Sequence, residues 1–194
     1  MRLLLGIVLL LALASGGVYV AAQQKPGVAQ GLKPVIVSAA ATKSFDQKID
    51  TLNAAIADAK KSGKAQPIEV TFTEEELTSK VNQATAQGAG GGIAAQNTEI
   101  HLQNGNIVAT STVNVSGVSL NVGVVATPTV VNGQTQLVVK EIQTGGLPLP
   151  DALKQQLNAQ IGNAIDPAKL GLPFDVSQLQ VVDGKLVVKG TVKP

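Results

Sequence analysis

Few residues of this chain could carry a reaction, because the nucleophiles and metal ligands that most enzymes use are scarce. The sequence contains one histidine, His101, and no cysteine. A zinc site with two or three imidazole ligands is therefore impossible, and no serine stands in a Gly-x-Ser-x-Gly turn. His101 alternates with Ile100 and Leu102, which predicts a solvated side chain on the polar face of a strand. We predict no enzyme activity, no catalytic residue, no metal and no cofactor.

Two other clusters resemble reactive sites, but their spacing favours structural roles. Glu74-Glu75-Glu76 could form a metal site or a catalytic carboxylate cluster. These residues follow Thr73, however, and Thr73 and Glu76 have the spacing of a capping box, so they complement the positive end of a helix. The run Gly88–Gly92 could cradle a phosphate, but no Lys-Ser or Lys-Thr follows it and no strand leads into it. We interpret that run as a flexible connection.

The charge balance and the kinds of apolar residue exclude further classes of function. Lys and Arg number 15 and Asp and Glu number 13, giving a net charge of +2. This is too small for the electrostatic footprint of a nucleic-acid-binding protein, so we expect no nucleic-acid partner. Aromatic residues make up 2% of the chain and tryptophan is absent, so recognition of bases or sugars by stacking is not expected. The core must be aliphatic.

Three amphipathic helices are predicted from start and stop signals. The first runs from Ser44, which has capping-box spacing to the glutamine three residues later, to Gly63. The second begins after Thr73. The third begins at Asp151 and ends at Asp166-Pro167. Its apolar stripe consists of Leu153, Leu157, Ile161 and Ile165.

Two-residue turn signals predict a meander of antiparallel strands. Asn104-Gly105, Ser116-Gly117 and Asn132-Gly133 each separate two runs of alternating apolar and polar residues. The first two turns bring the paired residues to one face, and a one-residue slip would invert the faces, so this agreement supports the register. The predicted pairs are Leu102 with Ile107, Ile100 with Ala109, Val115 with Val118, Val113 with Leu120, and Ser111 with Val122.

Two more segments complete the predicted sheet. Pro67–Thr73 alternates as a strand, and Asp183-Gly184 turns a last hairpin, whereas residues 145–150 should break the sheet. The pairs predicted for the last hairpin are Val181 with Leu186 and Leu179 with Val188. The whole pattern predicts an α+β fold in which a long, curved antiparallel sheet, a meander of about six or seven strands, wraps against two or three amphipathic helices.

Pro128 and Glu141 fit this meander less well than the other residues. Pro128 has no backbone N–H, so it should interrupt the third strand of the meander or place it at an edge. Glu141 shares the predicted face of Leu137 and Val139, where an unpaired carboxylate would be costly. Strand fraying or a bulge near Pro128 would turn Glu141 outward.

The N-terminal residues predict export from the cytoplasm. Residues 3–22 contain no charged residue, and a helix of this length covers about 30 Å, the thickness of the hydrocarbon core of a bilayer. The same segment fits a signal peptide cleaved after Ala14 or Ala22, which would give a secreted protein. Because the apolar run continues through Val20, we favour a retained anchor. The absence of cysteine excludes a lipoprotein anchor.

These signals divide the chain into three parts. Residues 1–22 are predicted to be a transmembrane anchor or signal segment, residues 23–43 a linker, and residues 44–194 a single extracytoplasmic α+β domain. Within the linker, Val35–Val37 is a candidate first strand. The prediction is a single-pass protein of the cell membrane whose C-terminal domain lies outside the cytoplasm.

Three segments taken together resemble a group of bacterial envelope proteins. They are Phe72–Gln83, Gly146–Ile161 and Val181–Gly190, in this order and spacing. The combination is similar to YpmS-like and LmeA-like proteins. The resemblance implies an N-terminal membrane segment and an exported domain related to tubular lipid-binding (TULIP-like) folds, in which a curved sheet wraps a helix and leaves an aliphatic groove. It implies no reactive residue.

The aliphatic sheet by itself favours the same function. We predict a membrane-anchored binding module for a lipid or lipid-linked envelope component, attached to the membrane through residues 3–22. The alternative is a structural component of the envelope with a closed core and a protein partner. The residues predicted to line the lipid groove are Leu102, Ile107, Val113, Val115, Leu120, Val122 and Val124 of the sheet and Leu153, Leu157 and Ile161 of the third helix.

Overall fold

The computed structural model describes residues 25–87, 95–115, 118–131, 134–145, 147–148 and 174–192, and in these residues the predicted α+β fold is confirmed. A short 3-10 turn (Gly27–Ala29) precedes two helices, α1 (Ala39–Ser62) and α2 (Glu74–Ala86). The strands are β1 (Gln66–Thr73), β2 (Ala95–Gln103), β3 (Asn106–Val115), β4 (Val118–Val131), β5 (Gln134–Thr144), β6 (Leu147–Pro148), β7 (Phe174–Val182) and β8 (Lys185–Val192). The predicted third helix lies outside the described residues.

Helix α1 begins at Ala39, so the predicted start at Ser44 is wrong. Ser38 caps the helix, and its hydroxyl accepts a hydrogen bond from the Ala41 N–H at 3.0 Å. Alanines occupy the first turn, and alanine has the highest helix propensity, so the helix takes up the end of the predicted linker. The predicted end is confirmed, because Gly63 adopts a left-handed φ of 66° directly after the helix.

Helix α2 begins with the predicted capping box. The Thr73 hydroxyl accepts a hydrogen bond from the Glu76 N–H at 3.2 Å, and the Glu76 carboxylate accepts one from the Thr73 N–H at 3.0 Å. Glu74 and Glu75 complete the acidic first turn, where negative charge complements the helix dipole. The structural interpretation of the three glutamates is confirmed. The predicted connection at Gly88–Gly92 lies outside the described residues.

The strands form two antiparallel sheets instead of one hydrogen-bonded meander. The first sheet has the order β1-β8-β7 and the second the order β2-β3-β4-β5-β6. Every pair predicted across the first two meander turns and across the last hairpin is observed. Residues 145–150 do not simply break the sheet, because Leu147 pairs with Thr144 to form the short strand β6. Among the described residues neither sheet closes on itself.

Strand β4 passes through Pro128 without interruption. The pairing of β3 with β4 ends at Ala126, opposite Ile107, whereas the pairing of β4 with β5 continues to Val131. Among the described strands, the stretch of β4 around Pro128 is therefore paired in the sheet with β5 alone. The predicted edge position of Pro128 is confirmed locally, since a residue without an N–H can be accommodated beside an unpaired edge.

A bulge in β5 resolves the position of Glu141. Val125 pairs with Glu141 and the next residue, Ala126, pairs with Val139, so Lys140 is an extra residue in β5. An extra residue resets the alternation of side chains along the strand. Glu141 is thereby turned to the face opposite that of Val139, as the bulge alternative predicts.

Polar side chains of α2 cover the free edge of β2. They are four residues apart on the helix, and the strand residues they bind are two apart. The pairs are Glu74 with the Leu102 N–H, Thr78 with the Ile100 N–H and carbonyl, and Asn82 with the Thr98 N–H and carbonyl. Four helical residues rise about 6 Å and two strand residues about 6.8 Å, so the two series stay in step. The helix therefore satisfies backbone groups that an edge strand would otherwise leave unpaired.

The main core lies where the two helices meet both sheets. Apart from Phe45, Phe72 and Phe174 it is aliphatic, as the composition predicts, and the ring centroids of Phe45 and Phe72 are 4.9 Å apart. The members from the helices and the second sheet are Phe45, Ile56, Ala59, Leu77, Val81, Ile100, Leu102 and Ile107. Those from the first sheet are Phe72, Phe174, Val176, Leu179, Val181, Leu186, Val188 and Val192.

Within the part of the chain that the structure describes, no helix combines the length and the apolar character needed to cross a bilayer. The predicted anchor at residues 3–22 lies outside the described residues.

Candidate functional site

The side of the second sheet that faces the core, called here the inner face, carries the sheet residues predicted to line a groove. Leu102, Ile107, Val122 and Val124 lie on it, and none is more than 4% exposed. The register of β3 and β4 places positions 113, 115 and 120 on the same face. Tertiary pairing thus brings the seven predicted sheet positions together. The three helical residues of the prediction, Leu153, Leu157 and Ile161, lie outside the described residues.

The inner face has two regions with different surroundings. Ile100, Leu102 and Ile107 belong to the main core and pack with α2 and the first sheet. Another group of residues, called here the far region, is almost fully buried but lies outside that core cluster. They are Ala109, Val122, Val124, Ala126 and Ile142.

The far region is aliphatic and carries no charge at any described inner-face position. Its buried hydroxyl, that of Ser111, accepts a hydrogen bond from the Thr98 hydroxyl at 3.0 Å and donates one to the Gln96 carbonyl at 3.0 Å. The polar groups are thus paired internally, and what remains is a surface of methyl and methylene groups. Such a surface can hold hydrocarbon by the hydrophobic effect but offers no group for a reaction.

Sequence reasoning did not assign Ala126 and Ile142 to this surface. Both are buried, at 4% and 1% exposure, and they flank Val124 along and across the strands. The signal that could have found Ile142 is the bulge at Lys140, because without it the alternation from Val139 points Ile142 to the opposite face. Ala126 follows from the β3–β4 register, where it pairs with Ile107.

A concavity that was not predicted from the sequence lies between α1 and the edge strand β1. It is an open groove of about 460 Å³ lined by Leu52 and Ala55 of the helix and by Ile68 and Val70 of the strand. Lys48 lies at one end, where its Nζ donates at 2.7 Å to the Thr71 carbonyl.

The charge of Lys48 is already compensated by Glu76, 2.6 Å away. Burial raises the pKa of Glu76, but hydrogen bonds from Lys48, Ser44 and the Thr73 backbone outweigh it, so the net pKa of Glu76 is lowered. Lys48 is therefore a structural partner of the helix cap and is not poised to receive an anionic ligand.

The opposite side of the second sheet, called here the outer face, is partly covered by the chain that follows the N-terminus. Residues 25–32, called here the strap, lie over Gly123. The strap side chains nearest to this glycine are those of Pro26 and Val28. The Val28 N–H donates to the Gln143 side chain at 3.0 Å. Between strap and sheet is a cavity of about 170 Å³, lined by Lys25, Leu32, Glu99, Thr110 and other mostly polar residues.

His101 lies on the outer face, as its alternation predicts, but the prediction of a solvated side chain is wrong. His101 is 4% exposed, and its cross-strand partner Val108 is 3% exposed. The His101 Nε2 lies 3.3 Å from a Glu99 carboxylate oxygen. Alternation along a strand decides which side a residue faces, whereas burial depends on what covers that side. Among the described residues, no three metal-ligating side chains converge.

A family model described as "LmeA-like phospholipid-binding" matches residues 17–191, which include both helices and the described strands as far as residue 191. Among curated proteins no relative matches the chain.

Proposed function

Since the chain belongs to the LmeA-like phospholipid-binding family, we propose that it holds a phospholipid or lipid-linked envelope component against the far region of the inner face. The observation that carries the proposal is the uncharged, buried aliphatic layer formed by Ala109, Val122, Val124 and Ile142, which lies outside the main core. The predicted helix at residues 151–166 would form the other wall, and its apolar stripe would complete an aliphatic groove.

The energetics suit a carrier more than a permanent store. Burying an acyl chain of about 16 methylene groups is favourable by roughly 13 kcal/mol relative to water, at about 0.8 kcal/mol per group. A bilayer buries the same chain equally well, so transfer from membrane to protein is close to neutral. A protein of this kind can therefore load and release lipid without a catalysed step.

We also propose where the protein lies in the cell. Residues 3–22 would anchor the chain in the membrane with the C-terminal domain outside the cytoplasm, so that the groove stays beside its source of lipid. In the described residues the inner face offers no catalytic constellation, and we propose a binding module without enzyme activity.

Native mass spectrometry of the full-length chain, followed by lipid extraction, tests the function. The protein would be expressed in a bacterial envelope and purified in a mild detergent. We expect a stoichiometric adduct that releases one class of phospholipid or lipid-linked molecule. A bare protein mass that persists after incubation with envelope lipids would contradict the proposal. That outcome would favour the alternative, a structural component with a protein partner.

A further inference from the structure

A short apolar segment, Pro34–Val37, follows Lys33 after the strap and is largely exposed. The candidate strand predicted at Val35–Val37 does not form, and these residues join no sheet. Ile36 is 76% exposed and Val37 is 55% exposed, more than any other large aliphatic residue of the described chain. Because they are adjacent, they form one patch, whereas the next most exposed residues, Val138 and Val182, lie singly in strands.

Both ends of the apolar segment are fixed to the domain. On the N-terminal side, the Leu32 N–H bonds to the Ala29 carbonyl at 3.3 Å, and Leu32 lines the cavity beneath the strap. On the C-terminal side, the Ser38 N–H donates to the Ser79 hydroxyl at 3.0 Å and the Ser38 hydroxyl donates to Glu75 at 2.8 Å. The segment is therefore held outward between two anchored points.

Chain length keeps this segment close to any membrane that holds residues 3–22. Lys25 is three residues after Ala22, a distance along the chain of at most about 11 Å. Lys25 and Leu32 line the same cavity, and Ile36 is four residues further, at most about 14 Å along the chain. The headgroup layer on one side of a bilayer is about 5–8 Å thick, so the strap must lie at or near the membrane surface.

Along the chain from Gln23 to Phe45 the charges are of one sign, and Glu75 of α2, bonded to Ser38, is an anion beside this stretch. Between Gln23 and Phe45 the charged residues are Lys25, Lys33 and Lys43, and all three side chains are exposed. Exposed aliphatic side chains flanked by lysines are the combination that binds the interface of an anionic bilayer, because the aliphatic groups enter the acyl boundary while the ammonium groups remain among the headgroups.

We propose that Ile36 and Val37 insert into the interface of an anionic bilayer and form a second membrane contact in addition to the anchor. This inference rests on the proposed anchor and lipid-binding role. The contact would orient the domain on the membrane, so that the groove meets the bilayer in a defined way during lipid uptake.

The absence of cysteine makes a site-specific test direct. An environment-sensitive fluorophore would be attached to full-length Ile36→Cys and, as matched controls, to Val138→Cys and Val182→Cys. Each would be reconstituted into vesicles of phosphatidylglycerol or of phosphatidylcholine. We expect blue-shifted emission and quenching by doxyl-labelled lipid at position 36 in phosphatidylglycerol vesicles, and water-like emission at the two control positions.

Three results would overturn the inference. They are a label at position 36 that remains as solvated as the controls, an equal shift in both kinds of vesicle, and a shift in detergent without vesicles, which would indicate contact between copies of the chain.

A second variant separates this inference from the proposed function. Ile36→Ser combined with Val37→Ser should slow uptake of a labelled phospholipid from vesicles several-fold while leaving the equilibrium lipid adduct intact. If the unmodified chain carries no lipid adduct, that result would contradict the proposed function but not the membrane contact of Ile36 and Val37.

Discussion

At the scale of single residues, Glu76 joins α1, β1 and α2. Its carboxylate accepts hydrogen bonds from Lys48, Ser44 and the Thr73 backbone, and the residue is 5% exposed. Ser44, predicted to cap α1, instead lies inside that helix and binds this carboxylate. A residue that sequence reasoning assigns to one helix end thus contributes to a contact between two helices.

The lowered pKa of Glu76 predicts acid sensitivity. The ionised carboxylate is stabilised in the folded state, so its contribution to stability is fully present above the unfolded pKa, close to 4.5, and is lost as the pH falls through the lower folded value. We expect Glu76→Gln to reduce the loss of stability between about pH 7 and pH 3, as measured by urea denaturation. The control is Glu69→Gln, an exposed carboxylate paired with Lys189. Equal pH profiles for the two variants would contradict the assignment.

Ala109 tests whether the far region holds a ligand or is filled by the chain itself. It is buried between Ile100 and Val124, its partners on the neighbouring strands. In an open groove, Ala109→Leu should abolish the lipid adduct in native mass spectrometry with little change in stability. In a closed core, overpacking would cost about 1–3 kcal/mol. Val138→Leu, at a 42% exposed position, is the control and should change neither quantity.

At the scale of elements, α2 depends on the match between helix and strand spacing. Thr78 is completely buried, and its hydroxyl both accepts from and donates to the Ile100 backbone. Because Thr78→Val leaves a buried N–H and a carbonyl unpaired, we expect destabilisation by about 1–3 kcal/mol in urea.

Thr78→Ser, which keeps the hydroxyl, should retain more of that stability than Thr78→Val. Thr85→Val is the matched control on the same helix, since its hydroxyl bonds only to carbonyls of α2. If Thr78→Val and Thr85→Val cost the same, the edge of β2 does not need the helix.

Gly123 allows the strap to approach the second sheet closely, because it has no side chain. A Cβ at this position would lie 2.4 Å from a Val28 methyl carbon and 2.8 Å from Pro26, closer than side chains approach. We expect Gly123→Ala to displace the strap, which would appear as faster hydrogen exchange and proteolysis in residues 25–32 with the sheet unchanged. Trimming the neighbour in the double variant Gly123→Ala with Val28→Ala should restore part of the protection. If the double variant restores no protection of residues 25–32, the strap does not pack against Gly123.

At the scale of the whole molecule, lipid and fold should be linked. A ligand that binds only the folded state at about 100 times its Kd stabilises it by about 2.7 kcal/mol. For a chain of this size that is roughly 5–11 °C in melting temperature. We expect delipidation of the full-length protein to lower the melting temperature by about this amount, and relipidation to restore it. An unchanged transition would indicate a core that is complete without lipid.

Much of the fold could be predicted because its signals are local. The turns at Asn104-Gly105 and Asp183-Gly184, the capping box at Thr73, and the stop at Gly63 each depend on residues within a few positions of one another. The strand pairs then follow, because alternation allows only one register that keeps every apolar residue on one face. The sheet positions of the candidate site were predictable for the same reason.

The amino-acid sequence by itself therefore determined the class of fold, the register of its hairpins and the aliphatic character of the inner face. Only the tertiary structure decided that the last hairpin joins β1 in a separate sheet, that α2 seals the edge of β2, and that His101 is buried. The strap shows the physical reason: Val28 bonds to Gln143, 115 residues away. Such contacts depend on which distant surfaces meet, and the pattern of residues within one segment does not indicate which surfaces those are.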